Sequence, residues 1–165
     1  MSKTLTIQEI SDRMQIHDVL LRFNRGLDRL DADMVASVYH DDAMDHHGPF
    51  DELGKTLAPK LVELVRSHVN VGLHCVSNVT IELDGDVAHV ESYTTTFTQD
   101  NAVNTDIGAR CVDRFERRNG EWKIADRIMI LEYVRTLPVG EPNAMLGMFA
   151  RGSRDRSDPS YHSKS

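Results

Sequence analysis

Cysteine is scarce. Two stand in the 165 residues, Cys75 and Cys111, with no CxxC pair. So few leave no material for a disulfide framework, and the usage fits a reducing cytoplasm. Neither has neighbours that mark a nucleophile, and a free cysteine ordinarily packs as a small apolar side chain. Basic charge is also in deficit: 19 Lys and Arg face 26 Asp and Glu, a net charge of −7. A nucleic-acid surface needs a concentrated basic face, so no nucleic-acid partner is expected. No basic amphipathic stretch suits a membrane surface, and no apolar run approaches the length that spans a bilayer. The start, MSKTLTIQEISDR, lacks the apolar region of a secretory signal. What is present is an ordinary globular composition, 40% hydrophobic and 27% charged. A chain of this length makes one domain, buries a core and can still leave a pocket.

The first half is helical in period. Ile16, Leu20, Phe23, Leu27 and Leu30 recur at three and four residues and predict a helix over residues 6 to 29. Thr6 and Glu9 have the spacing of a capping box. Gly26 weakens this helix by about 1 kcal/mol against Ala, and lets something approach its backbone closely. Asp31 caps a second short helix with Met34, Val35, Val38 and Tyr39 on its apolar face. HDDAMDHHGPF reads as a turn and a short polar strand or loop. Residues 56 to 68 read as a third helix, with Pro59 tolerated in its first turn.

After Gly72 the period drops to two. VGLHCVSNVTIEL, VAHVESYTTTFTQ, IGARCVDRFERR and EWKIADRIMILEYVR read as strands. Asp84-Gly85 and Asn119-Gly120 are strong hairpin signals. Helices followed by a run of strands predict an α+β fold, with three helices packed on one face of a curved, mostly antiparallel sheet. Such a sheet curling round a helix makes a cone with an apolar mouth. The folded domain is expected over residues 1–137. Residues 138–165 form a C-terminal lid or flexible tail: the part up to residue 150 is apolar enough to close a pocket, and ARGSRDRSDPSYHSKS is polar enough to be mobile or draped over a neighbouring subunit.

Several residues carry possible chemistry. Asp28, in RGLDRLD, flanks the apolar stripe of the first helix. It is either a solvated helix-end acid or the orienting acid of a site. His74 alternates with Leu73 and Cys75, as a packed core histidine or as a base. A neutral His is a competent base when a carboxylate fixes its tautomer. Asp45, His46 and His47 look like metal ligands at first sight. Adjacent residues on an extended chain point to opposite faces, so His46 and His47 do not share one metal, and no metal or other cofactor is expected. His47 is the better candidate for a substrate contact. An inward Arg110 would need a carboxylate partner. One hydroxyl of Thr94 to Thr98 could enter the pocket, and Trp122 would pack the sheet against a neighbour.

Three stretches together resemble the SnoaL-like branch of the NTF2-like superfamily, the cystatin-like α+β cone. They are IHDVLLRFNRGLDRLDADMVASVYHDDAMDHHG, HCVSNVTIELDGDVAHVESY and GARCVDRFERRNGEWKIADRIM, within residues 7 to 136. The resemblance covers most of the chain and is specific for the family, not for one reaction. It implies acid–base chemistry without a cofactor, with Asp28 and His74 as the catalytic dyad. Where dehydratases of the family carry a Tyr five residues before the Asp, this chain has Phe23. Tyr39, Tyr93 or another group would then meet the substrate oxygen. Arg110, Arg127 and Arg135 are the candidates for an arginine from the last strands, and Phe23, Tyr39, His47 and Arg110 are taken as the substrate-binding set. The implied activity is a lyase on a small, hydroxylated, aromatic or steroid-like molecule. It would eliminate water, or deformylate by C–C cleavage that releases formaldehyde. A proton-transfer isomerase or cyclase, or a non-catalytic binding or association module, is the alternative. The resemblance also implies a homo-oligomer, a trimer ahead of a dimer.

Overall fold

The computed structural model describes residues 4–141 and 143–162. Among them the chain runs α1 (Ile7–Asp28), α2 (Ala32–Ala36), β1 (Tyr39–His47), β2 (Phe50–Leu53), α3 (Gly54–His68), β3 (Val71–Asp84), β4 (Val87–Gln99), β5 (Val103–Arg118) and β6 (Glu121–Pro138). Thr6 and Glu9 close the expected capping box at the start of α1. Gly26 is where α2 crosses: an added Cβ would lie 2.6 Å from a Val35 methyl and 3.0 Å from the Val35 backbone N. α3 starts two residues before the expected point, at Gly54, whose missing side chain leaves room for the Tyr39 ring.

The described strands form one sheet in the order β2-β1-β6-β5-β4-β3. β3 to β6 are the expected antiparallel meander. The turn after β3 has Gly85 at φ +62°, and the turn after β5 has Asn119 and Gly120 at +54° and +81°. Positive φ at both turn residues suits the right-handed strand twist, which is why Asn-Gly serves there. HDDAMDHHGPF differs from expectation. It is a full strand, β1, which runs parallel to β6 and hairpins into β2. Asp41 and Asp42 face water while Ala43 and Asp45 are buried, Asp45 with the Tyr39 hydroxyl as its hydrogen-bond donor.

Two bulges decide which side chains face the helices. In β3 the register shifts between Ser77 and Thr80, around Asn78 at φ +49°. The extra residue switches parity, so His74 and Val76 face inward before it and Val79, Ile81 and Leu83 after it. In β6 the register shifts opposite Arg114 and Phe115. Trp122 and Ile124 point in before the shift, Arg127 after it. The core lies between α1 and the sheet, where Ile16, Leu20, Phe23 and Leu27 meet Phe115, Trp122 and Ile124. Trp122 therefore belongs to the core of its own chain, not to a contact with a neighbour. It is 1% exposed, and its indole N–H donates to Asp12 at 2.9 Å.

Candidate active site

Asp28 is the last residue of α1, and His74 lies near the start of the edge strand β3. The bulge-set parity of β3 turns the imidazole toward the helix. The Nδ1 of His74 lies 2.7 Å from Asp28 Oδ1, and the His74 backbone N–H donates to Asp28 Oδ2 at 3.3 Å. A carboxylate only accepts, so Nδ1 is the donor in this contact, and in a neutral ring Nε2 is the nitrogen with the free lone pair. The side chains are 11% and 16% exposed, His74 and Asp28 respectively. They are sheltered, yet solvent reaches them.

His74 borders an enclosed cavity of about 60 Å³. Leu20, Phe23 and Leu27 wall it from α1, Ala109, Cys111 and Met129 from the sheet. Its polar lining is Asn24, His47, Ser92, Thr94, Thr96 and Arg127. Thr94 and Thr96 are thus the members of the threonine run that line it. Burial pushes the Cys111 thiol up to about 11, so it stays a neutral lining group near pH 7. On the other side of the dyad a solvent-open groove of about 630 Å³ runs along α1, lined by Leu21, Arg25, Asp28 and Met34 among others. His74 and Asn24 border both spaces.

Away from the dyad the cavity ends on a buried polar network. Arg127 donates to both carboxylate oxygens of Asp113, at 2.7 and 2.8 Å, with both side chains almost wholly buried. Its guanidinium also lies 4.5 Å above the Phe23 ring. Burial acts against the Arg127 charge, but the charge and hydrogen bonds of Asp113, together with Cys111 and Tyr39, outweigh it and hold its pKa well above the ordinary arginine value. Beside this pair, Tyr39 donates its hydroxyl to Asp45 Oδ2 at 2.5 Å. Burial pushes the Asp45 carboxyl up, but His47, Arg127 and Tyr39 outweigh it and hold the acid below its ordinary value. His47 Nδ1 sits 3.6 Å from Asp45 Oδ1, beyond hydrogen-bond reach. Arg127 Nη1, Asp45 Oδ1 and His47 Nδ1 are buried without a hydrogen-bond partner in the protein. Asp45 Oδ1 and His47 Nδ1 face each other, which leaves Arg127 Nη1 as the unpaired donor of a residue that lines the cavity; buried donors seldom stay unpaired.

The expected site residues divide accordingly. Asp28 and His74 come together, and Phe23 and His47 line the cavity. Tyr39 does not line it; it is 1% exposed and holds Asp45 from behind. Arg110 is not in the cavity either. It alternates with the inward Ala109 and Cys111, so it lies on the outer face of the sheet, where it pairs with Glu91 and Glu132. Arg127 takes the inward arginine position. Arg135 lies toward the far end of β6, paired with Asp106. His46 turns away from His47 toward Asp51 and Asp126. Among the described residues, no three His, Cys, Asp or Glu side chains converge as a metal site.

A SnoaL-like domain model matches residues 8–128. The chain belongs to that family. Its fold is the NTF2-like, cystatin-like cone, as in a protein of Nostoc punctiforme with a cystatin-like fold. That structure has a TM-score of 0.65 at 22% identity, over 79% of this chain and 96% of that one. A candidate scytalone dehydratase of Novosphingobium aromaticivorans superposes with a TM-score of 0.72 at 17% identity, over 84% and 96% of the two chains. The type-3 hexachlorocyclohexane dehydrochlorinase LinA of Novosphingobium barchaimii gives 0.70 at 22%, over 81% and 94%. Identities this low establish the shared fold and nothing finer. No curated protein sequence matches the chain.

Proposed function

We propose that this SnoaL-family protein is a small-molecule lyase in which Asp28 and His74 perform acid–base chemistry without a cofactor. The contact that carries the reading is the 2.7 Å bond from His74 Nδ1 to Asp28 beside an enclosed cavity. Asp28 fixes the tautomer and stabilises the imidazolium once His74 Nε2 has taken a proton. Arg127 Nη1 and His47 meet the substrate oxygen, in place of the hydroxyl that Phe23 lacks. If the proton comes from carbon beside a hydroxyl, water leaves and a double bond forms. If it comes from a hydroxymethyl oxygen, the C–C bond breaks, formaldehyde departs and the electron pair left on carbon is protonated. The dehydratase and dehydrochlorinase named for the structural neighbours both make elimination the first version to test.

The cavity volume bears on the substrate. About 60 Å³ holds roughly four to six waters. That suits the reacting end of a molecule, not a fused ring system. The remainder of an aromatic or steroid-like substrate would lie in the groove along α1, which shares Asn24 and His74 with the cavity. The chain would work as a homo-oligomer, a trimer ahead of a dimer. Leu73, Tyr93, Phe97, Val112 and Ile128 are all exposed on the outer face of the sheet and suit burial between copies. Light scattering in solution decides the number of copies.

The decisive experiment incubates a panel of hydroxylated aromatic compounds with the wild type, Asp28→Asn and His74→Ala, and reads products by mass. Loss of water or of formaldehyde in the wild type, falling about 10³- to 10⁴-fold in Asp28→Asn, is the expected result. Turnover that survives both substitutions would overturn the dyad.

A further inference from the structure

The C-terminal segment reaches the dyad from outside the cavity. Arg154 Nη1 donates to the backbone carbonyl of Val69 at 2.5 Å, and Nε to that of Asp28 at 3.4 Å. Asp28 O is one of the last carbonyls of α1, which have no partner within the helix. Val69 leads into β3, and a Cβ on Gly72 would lie 3.4 Å from Arg154 Nη2. One guanidinium therefore touches the end of the helix that carries Asp28 and the start of the strand that carries His74.

This placement is held by a second set of contacts. Asp158, buried at 4% exposure, accepts from the Ser153 and Ser160 backbone N–H groups, each at 3.0 Å. The same carboxylate accepts the Ser160 hydroxyl at 2.6 Å and faces Arg29 Nε at 3.5 Å. Arg25 donates to Ser160 Oγ at 3.1 Å and lies over the Tyr161 ring. So the last turn of α1 grips the segment through Arg25 and Arg29, and the segment returns Arg154 to that same turn. Burial and the nearby charges of Arg29 and Arg66 act against the Arg154 cation, and the Asp28 carboxylate favours it. A guanidinium kept in so crowded a place depends on the two carbonyls and on Asp28.

We propose that Arg154 is a positioning residue for the Asp28–His74 pair, clamping helix end to strand start so that the carboxylate meets Nδ1. The proposal rests on the dyad reading above, and its test separates the two. Protein labelled with ¹⁵N-histidine reports the His74 tautomer directly, with no substrate present. The wild type should show the Nδ1–H form. In Arg154→Gln the signal should spread toward the other tautomer, and Arg154→Lys should restore part of it. Asp158→Ala, which touches neither dyad residue, should act in the same direction by releasing the segment. With a substrate in hand, Arg154→Gln should lower kcat about 10- to 100-fold with KM changed by less than about threefold. An unchanged tautomer in both Arg154→Gln and Asp158→Ala would overturn the proposal, as would lost thermal stability with an unmoved tautomer. A tautomer shift in a protein that turns nothing over would leave the clamp standing and remove the catalytic reading. Full turnover in Arg154→Gln beside an inactive Asp28→Asn would do the reverse.

Discussion

Two carboxylate–nitrogen pairs reach the same cavity, and they are built for different work. Asp28 and His74 come from a helix end and an edge strand and keep 16% and 11% exposure. Arg127 and Asp113 come from adjacent central strands and are 2% and 0% exposed, sealed from water. Proton transfer needs the first kind of pair. Fixed charge aimed at an oxygen needs the second, because a donor already oriented in a dry site does not have to reorganise as charge develops. The sealed pair should therefore govern stability and the open pair turnover.

The largest expected effect breaks the sealed pair from one side. Arg127→Met leaves the Asp113 carboxylate buried without a partner and should cost about 3–5 kcal/mol in urea unfolding. Arg127→Met combined with Asp113→Asn should recover most of that loss, because the uncompensated charge is gone. Equal losses in the single and double variants would mean that packing around Arg127, and not its charge partner, sets the cost. Asp28→Asn should by contrast leave the unfolding midpoint close to that of the wild type while it stops turnover.

A smaller effect tests how the helix end that carries Asp28 is set. Gly26→Ala gains helix propensity of about 1 kcal/mol but drives a methyl into Val35, side chain and backbone. The clash should win, for a net loss of about 1–2 kcal/mol in a thermal or urea transition. This close approach was legible in the sequence, since a glycine inside a strong apolar stripe needs a neighbour to account for it. The capping box, the meander and the two Gly-containing turns were legible for the same reason: each depends on residues close together in the chain. The parallel pairing of β1 with β6 was not, because it joins strands that some eighty residues separate and nothing local announces it. The docking of Arg154 and Asp158 on α1 was hidden too, in a stretch whose polar composition alone suggests a mobile tail.

The smallest effect concerns the arginine that the strand pattern alone cannot place. Alternation along GARCVDRF puts Arg110 on one face and Ala109 and Cys111 on the other, but does not say which face is inside. Along EWKIADRIM, alternation from Trp122 and Ile124 would send Asp126 and Ile128 inward and Arg127 outward. The bulge in β6 reverses this after Ile124, and a bulge with no glycine or proline leaves no mark in the sequence. Arg110→Ala should therefore leave turnover unchanged within error. Glu91 and Glu132 hold its guanidinium on the outer face, away from the proton-transfer pair. A fall in turnover with Arg110→Ala but not with Arg127→Lys would move the oxygen-binding end of the site to the other face of the sheet. It would also require the cavity to lie where the outer apolar surface now does.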